Sequence, residues 1–203
     1  MKWVAPILVY LVVGLGLFIF HNAWIALLAF HFAIIASLFF AKPNVSVSVL
    51  FKSKSFLWVI LSVLLCGSSG LTLYFFWDYF GVARDISQQV ESFGLNTSTW
   101  VGFILFFTLV NPWVEEFFWR GYLGSPTRGL HISDFLYSGF HALILIGKVQ
   151  ISAIIYTVTV LVLAGWFWRQ MMRQNGGLLA PVLGHMAADL TILLAIYWKV
   201  LAR

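Results

Sequence analysis

Charge is the scarcest property of this chain. Of its 203 residues, 9% are Asp, Glu, Lys or Arg, against roughly 25% in soluble domains. That scarcity excludes an ordinary water-soluble surface. Cysteine is nearly absent too. Cys66 stands alone within an apolar run, which excludes a disulfide framework and a cysteine metal cluster and leaves Cys66 as a packing residue. There is no basic tract, glycine-rich phosphate loop or DNA-binding motif, so the net charge of +5 does not point to nucleic acid. Internal repeats and low-complexity tracts are also lacking.

What fills the chain is hydrocarbon: 62% hydrophobic and 18% aromatic residues. Seven apolar runs approach the length needed to span a bilayer, roughly 20 residues. They are Trp3–Phe20, Ala23–Phe40, Phe56–Trp77, Val101–Tyr122, Ile132–Ile146, Ile151–Met171 and Leu178–Val200, the fifth being the shortest. Apolar and polar residues do not alternate, so the runs predict helices and not barrel strands. The expected fold is all-α: a polytopic membrane protein with about seven transmembrane helices and an active-site cavity within the bundle. The first run lacks a small-x-small cleavage pattern and continues into a second span, which predicts a retained helix. Residues 1–100 form N-terminal helices and a polar loop, and any functional centre is expected in residues 101–203, within one membrane domain overall. Tryptophans near span ends, such as Trp3, Trp77, Trp100 and Trp198, read as interfacial anchors.

Seven spans place Lys2, Lys42, Lys52, Lys54, Arg120, Arg128, Arg169 and Arg173 on one side, and Arg84, Lys148, Lys199 and Arg203 on the other. The excess predicts an integral protein of the cytoplasmic membrane with its N-terminus cytoplasmic and its C-terminus outside. The loop Asp78–Thr99 is the longest polar stretch and predicts a short amphipathic helix around Val82–Phe93. Gly176-Gly177 is expected to end the sixth helix.

Against this background two adjacent acids stand out, Glu115 and Glu116, inside the fourth run. A carboxylate in hydrocarbon costs roughly 2.5 kcal/mol or more even on insertion scales. Glu116 and Arg120 are four residues apart, acid first, the favourable order for an ion pair. Glu115 is rotated by about 100° from Glu116 and is not consumed by that pair. Spacing thus separates a scaffold pair from a reactive acid. Pro112 removes a helix hydrogen bond just before them, where a kink would open space for water. Asn111, one turn before Glu115, is a second candidate for the same cavity.

Downstream lie polar partners. His185 and Asp189 share a face of the last helix, and His141 sits among apolar neighbours on the fifth run. His31, mid-span in the second run, reads as a satisfied interior histidine, with lining a substrate path as the alternative. Two chemistries suit this set. In one, Glu115 is general base for water, one histidine orients that water, and the other histidine with Asp189 steadies a tetrahedral oxyanion. In the other, Glu115, His141 and His185 hold zinc, which activates the water. The helix pattern His-Glu-x-x-His is absent, so no cofactor is favoured and zinc stays open through ligands from separate helices.

Three segments carry a family resemblance. Glu115-Glu116-Phe117-Phe118-Trp119-Arg120 fits the Glu-Glu-x-x-x-Arg motif of the CPBP family (CAAX proteases and bacteriocin-processing enzymes, also called Abi). Tyr137-Ser138-Gly139-Phe140-His141 resembles its Phe-x-x-x-His motif, with tyrosine first. Gly177 to Asp189 looks like the closing segment, which ends in His-x-x-x-Asn or His-x-x-x-Asp. The resemblance covers about Val101 to Tyr197. It implies an intramembrane endopeptidase, similar to the prenyl-protein endopeptidase that removes the last three residues after a prenylated cysteine. Its partners would be membrane lipid and a membrane-associated protein or peptide. The resemblance further implies that Glu115 activates water with His141, and that His185 with residue 189 forms the oxyanion site. Asp189 departs from asparagine there, and an ionised aspartate cannot donate to an oxyanion. A non-proteolytic partner or bacteriocin-immunity protein of the same family is the alternative. A transporter would show repeat symmetry, which the sequence lacks.

Overall fold

The computed structural model describes residues 2–200. Among these every regular element is helical, as hydrocarbon surroundings require of a backbone that must pair with itself. The helices are α1 (Ala5–Gly14), extended by a π-helical turn Leu15–Ile19, α2 (Ala23–Ala41), α3 (Phe56–Phe75), α4 (Ile86–Ser92), α5 (Trp100–Glu116), extended by a π-helical turn Phe117–Tyr122, α6 (Ile132–Leu145), α7 (Ile151–Asn175) and α8 (Leu179–Val200).

Seven of them correspond to the seven predicted runs, and α4 to the amphipathic helix of the polar loop, shorter than Val82–Phe93. Five helical segments are long and apolar enough to cross a membrane, whereas Ala5–Ile19 and Ile132–Leu145 are shorter. The reason for a short α6 is local. A capping box of His131 and Asp134 starts it, and the chain leaves helical geometry at Ile146, before Gly147 at φ +74°. Fourteen residues reach roughly 21 Å, less than a hydrocarbon core of roughly 30 Å. Helix α7 runs past Met171 to Asn175 and stops at Gly176 in the left-handed region, φ +67°, where the glycine pair predicted it.

Contacts gather the loops at two ends of the bundle. At one end Lys2 lies over the Tyr122 ring, Trp3 meets His131, and the Asn175 side chain accepts from the Lys54 and Ser55 N–H groups at 2.7 and 2.9 Å. At the other, Ala23 N–H bonds Phe93 carbonyl at 2.9 Å, Ala83 N–H bonds Lys148 carbonyl at 2.8 Å, and Ser87 reaches Val200.

Small residues let the halves of the chain interlock. Helix α3 packs against α8 more extensively than any other helix pair. Gly70 lies against the Thr191 backbone, Gly184 against Ser62, and Gly67 faces Ala187. Lipid offers no hydrophobic drive between helices, so close backbone approach of this kind supplies the attraction. Phenylalanines such as Phe32, Phe39, Phe40, Phe56 and Phe75 point outward, as lipid-facing side chains should.

Arg169 is a feature the charge count did not foresee. Counted as a loop charge, it is instead buried, 2% exposed. Its guanidinium grips Asp134 with two bonds of 3.0 and 2.8 Å and the carbonyls of Ser125, Thr127 and Gly129 at 3.1, 2.7 and 2.6 Å. One side chain thereby ties α7 to the start of α6 and to the turn after α5.

Candidate active site

Helix α5 and its π-helical extension bring Asn111, Glu115, Glu116 and Arg120 to the bundle interior, all buried. The helix is continuous through Pro112, the position of the expected kink. Its geometry changes one turn later, at Phe117–Tyr122, where it widens into π form. Such turns are frequent at functional sites. Across that turn Glu116 Oε1 accepts from Arg120 Nη1 at 3.1 Å, the predicted pair, and also from His185 Nδ1 at 2.9 Å. The scaffold carboxylate therefore joins α5 to α8, a second task that helical spacing alone did not reveal.

Around this ion cluster stands an aromatic wall. The Arg120 guanidinium lies 3.9 Å from the Tyr137 ring centroid and 4.9 Å from that of Trp168. Cation–π contact of this sort is worth most where water is excluded. His185 stacks on Trp168 with centroids 5.0 Å apart and meets the edge of Tyr137 at 6.1 Å. On the other side of its ring, Nε2 faces Asp189 Oδ1 at 3.6 Å, longer than a hydrogen bond. The Glu116 carboxylate only accepts, so the Nδ1 that faces it carries a proton.

Glu115 is separate from the Glu116 cluster in its bonding, as its rotation on the helix predicted. Asn111 Nδ2 donates to Glu115 Oε1 at 2.8 Å, and Asn111 Oδ1 in turn faces His31 Nε2 at 3.1 Å. The second oxygen, Oε2, is buried without a hydrogen-bond partner among the described residues. The acid is thus held by one oxygen and uncommitted at the other.

His141 projects from α6 and is less deeply buried than His185. Its Nδ1 bonds the Tyr137 carbonyl at 3.0 Å; a carbonyl accepts, so Nδ1 carries the proton and Nε2 is left as an acceptor. The ring lies 5.1 Å from Tyr137, which places Tyr137 in contact with both histidines. Tyr137, the residue that replaces phenylalanine in the second motif, is more than packing: Arg120, His141 and His185 all rest on it. The motif marked Tyr137 by position only, and nothing in the sequence marked Trp168.

The zinc alternative requires Glu115, His141 and His185 to converge with free lone pairs. Among the described residues no three His, Cys, Asp or Glu side chains are gathered as a metal site, and both His185 nitrogens face carboxylates. A histidine ligand must offer an unprotonated nitrogen, and His185 Nδ1 is taken by Glu116. Two clefts open elsewhere on the bundle. One of about 260 Å³ is bordered by Trp58, Arg128, Trp166 and Arg173, and one of about 640 Å³ by Thr72, Phe76, Tyr79 and Tyr156. Neither is lined by the polar cluster.

Comparison with curated proteins and with solved structures gave no match. Residues 97–191, just under half of the chain, match the family model described as type II CAAX prenyl endopeptidase Rce1-like. The matched stretch holds Asn111, Glu115, Glu116, Arg120, Tyr137, His141, His185 and Asp189, and leaves His31 outside. That segment is similar to the Rce1-like CAAX proteases, and it lies in an integral membrane protein built of apolar helices.

Proposed function

We propose that the protein is a glutamate-type intramembrane endopeptidase acting on membrane-associated, CAAX-type protein or peptide tails. The observation that carries this reading is Glu115, with Oε1 held by Asn111 and Oε2 buried and uncommitted. Oε2 takes a proton from water while the water oxygen attacks the scissile carbonyl carbon. His141 Nε2, an acceptor by its tautomer, orients the same water. Charge gathers on the carbonyl oxygen, and His185 Nε2–H is the donor for it, since the 3.6 Å gap to Asp189 leaves that proton loosely tied. Asp189 then orients His185 and is not asked to donate. Collapse of the tetrahedral intermediate breaks the C–N bond, and Glu115 passes its proton to the leaving amine.

Glu115 and His185 each lie within two turns of the same end of the bundle, near Tyr122 and Leu178, roughly 10 Å inside it. The excess of Lys and Arg on that end supports a cytoplasmic assignment. A lipidated tail lying in the cytoplasmic leaflet would reach the site at that depth.

The test uses the full chain in lipid vesicles with a fluorogenic prenylated CAAX peptide. Glu115→Gln, which keeps size and removes the base, is expected to abolish cleavage while thermal stability is retained. Wild-type turnover by a folded Glu115→Gln protein overturns the reading. Exhaustive chelation is expected to leave turnover unchanged; loss restored by added zinc overturns the glutamate-type assignment alone.

A further inference from the structure

We infer that His31 on α2 is a positioning residue for Glu115, acting through Asn111, so that the catalytic centre extends outside residues 97–191 into the N-terminal half. The inference rests on Glu115 as the general base.

Three side chains from two helices form one line. His31 Nε2 lies 3.1 Å from Asn111 Oδ1, and Asn111 Nδ2 lies 2.8 Å from Glu115 Oε1. His31 is 6% exposed, Asn111 1% and Glu115 2%, so water does not compete for these bonds. The line has a direction. An amide oxygen accepts and an amide nitrogen donates. The carboxylate demands the Asn111 NH₂ group, which turns the Asn111 oxygen toward α2, and that oxygen demands a donor. Only the Nε2–H tautomer of His31 meets it. The amide held the other way would set oxygen against carboxylate and NH₂ against the ring N–H. His31 therefore fixes which face of Asn111 meets Glu115, and Asn111 fixes which oxygen of Glu115 remains for water.

The ring that does this is itself clamped. Phe30 and Phe106 lie 5.6 and 5.5 Å from it, centroid to centroid. Its other nitrogen, Nδ1, is buried without a partner among the described residues, a cost that a leucine at this position would avoid. A histidine serving only as scaffold would bond a backbone carbonyl; the hydrogen bond of this one goes to the residue that holds the base.

Steady-state kinetics on the reconstituted full chain test the inference. Misplacing a catalytic group by about 1 Å costs on the order of 100-fold in rate. His31→Leu is expected to lower kcat by an amount approaching that, with KM within about twofold, because His31 acts on the base through Asn111. His31→Gln, whose amide nitrogen reaches the place of Nε2 and donates, is expected to restore kcat to within a few-fold of wild type. The double variant His31→Leu/Asn111→Ala is expected to be no slower than Asn111→Ala alone. Full activity of folded His31→Leu, equal losses in Leu and Gln variants, or multiplicative losses in the double variant would each overturn the inference. Should His31→Leu not fold, His31→Asn, polar but too short to reach Asn111, replaces it, and full activity there is equally fatal. An active Glu115→Gln protein, by contrast, removes the proposed function itself.

Discussion

Asp189 and Tyr137 depart from the family motifs, and at the scale of single residues the structure gives each a place. Asp189 Oδ1 faces His185 Nε2 at 3.6 Å, and in the proposed mechanism the position serves as an acceptor that orients the ring. Asparagine offers the same acceptor through its carbonyl oxygen. Asp189→Asn is therefore expected to keep turnover within a few-fold, and Asp189→Leu to lose about tenfold, the order of one polar interaction; peptide cleavage rates decide. For Tyr137 the ring face is what matters, because Arg120 lies 3.9 Å above it. Tyr137→Phe keeps that face and is expected to retain stability. Tyr137→Leu removes a desolvated cation–π contact worth about 2 kcal/mol and is expected to lower the melting temperature in detergent. The role of Tyr137 was not legible beforehand. A motif position fixes residue type and spacing, whereas the cation over the ring comes from a different helix.

At the scale of helices, the site depends on how closely α8 lies against α3. A Cβ on Gly184 would overlap Ser62 Oγ and stand 3.2 Å from the Ser62 carbonyl carbon. Gly184→Ala is expected to push α8 outward and carry the adjacent His185 away from Glu116. Overpacking of this kind costs about 1–3 kcal/mol, read as a lowered melting temperature together with lost activity. Ser62→Gly in the same protein is expected to recover part of both. The α6–α7 pair depends on Arg169 in a different way. Asp134→Ala strips the guanidinium of its buried carboxylate, a loss of roughly 3–5 kcal/mol. The turn at Ser125–Gly129 should then become protease-sensitive, which limited proteolysis detects. Sequence periodicity identified these helices, yet it could not rank their contacts, because a glycine in an apolar run looks the same whether it meets lipid or another backbone.

For the whole molecule, the arrangement of loops at two ends makes the proposed topology testable. In a Cys66→Ser background, single cysteines at the exposed positions Ser48 and Ser98 report opposite ends. An impermeant maleimide added to intact cells is expected to label Ser98→Cys and to spare Ser48→Cys until the membrane is opened. The reverse pattern would place the site toward the outer leaflet and remove the argument for cytoplasmic substrates.

Composition and hydropathy alone determined that this is a helical membrane protein, because hydrocarbon tolerates little charge and no unpaired backbone. Helical spacing determined that Glu116 pairs with Arg120 and that Glu115 stands apart from that pair, because residues four apart share a face and neighbours do not. What only the tertiary structure decided is who meets whom between helices. His185 bonds Glu116, Arg120 rests on Tyr137 and Trp168, and His31 reaches Asn111 across 80 positions of sequence. Such contacts depend on the rotation and depth of each helix against its neighbour. Those are set by small-residue packing and a few buried ion pairs, which local sequence patterns do not record.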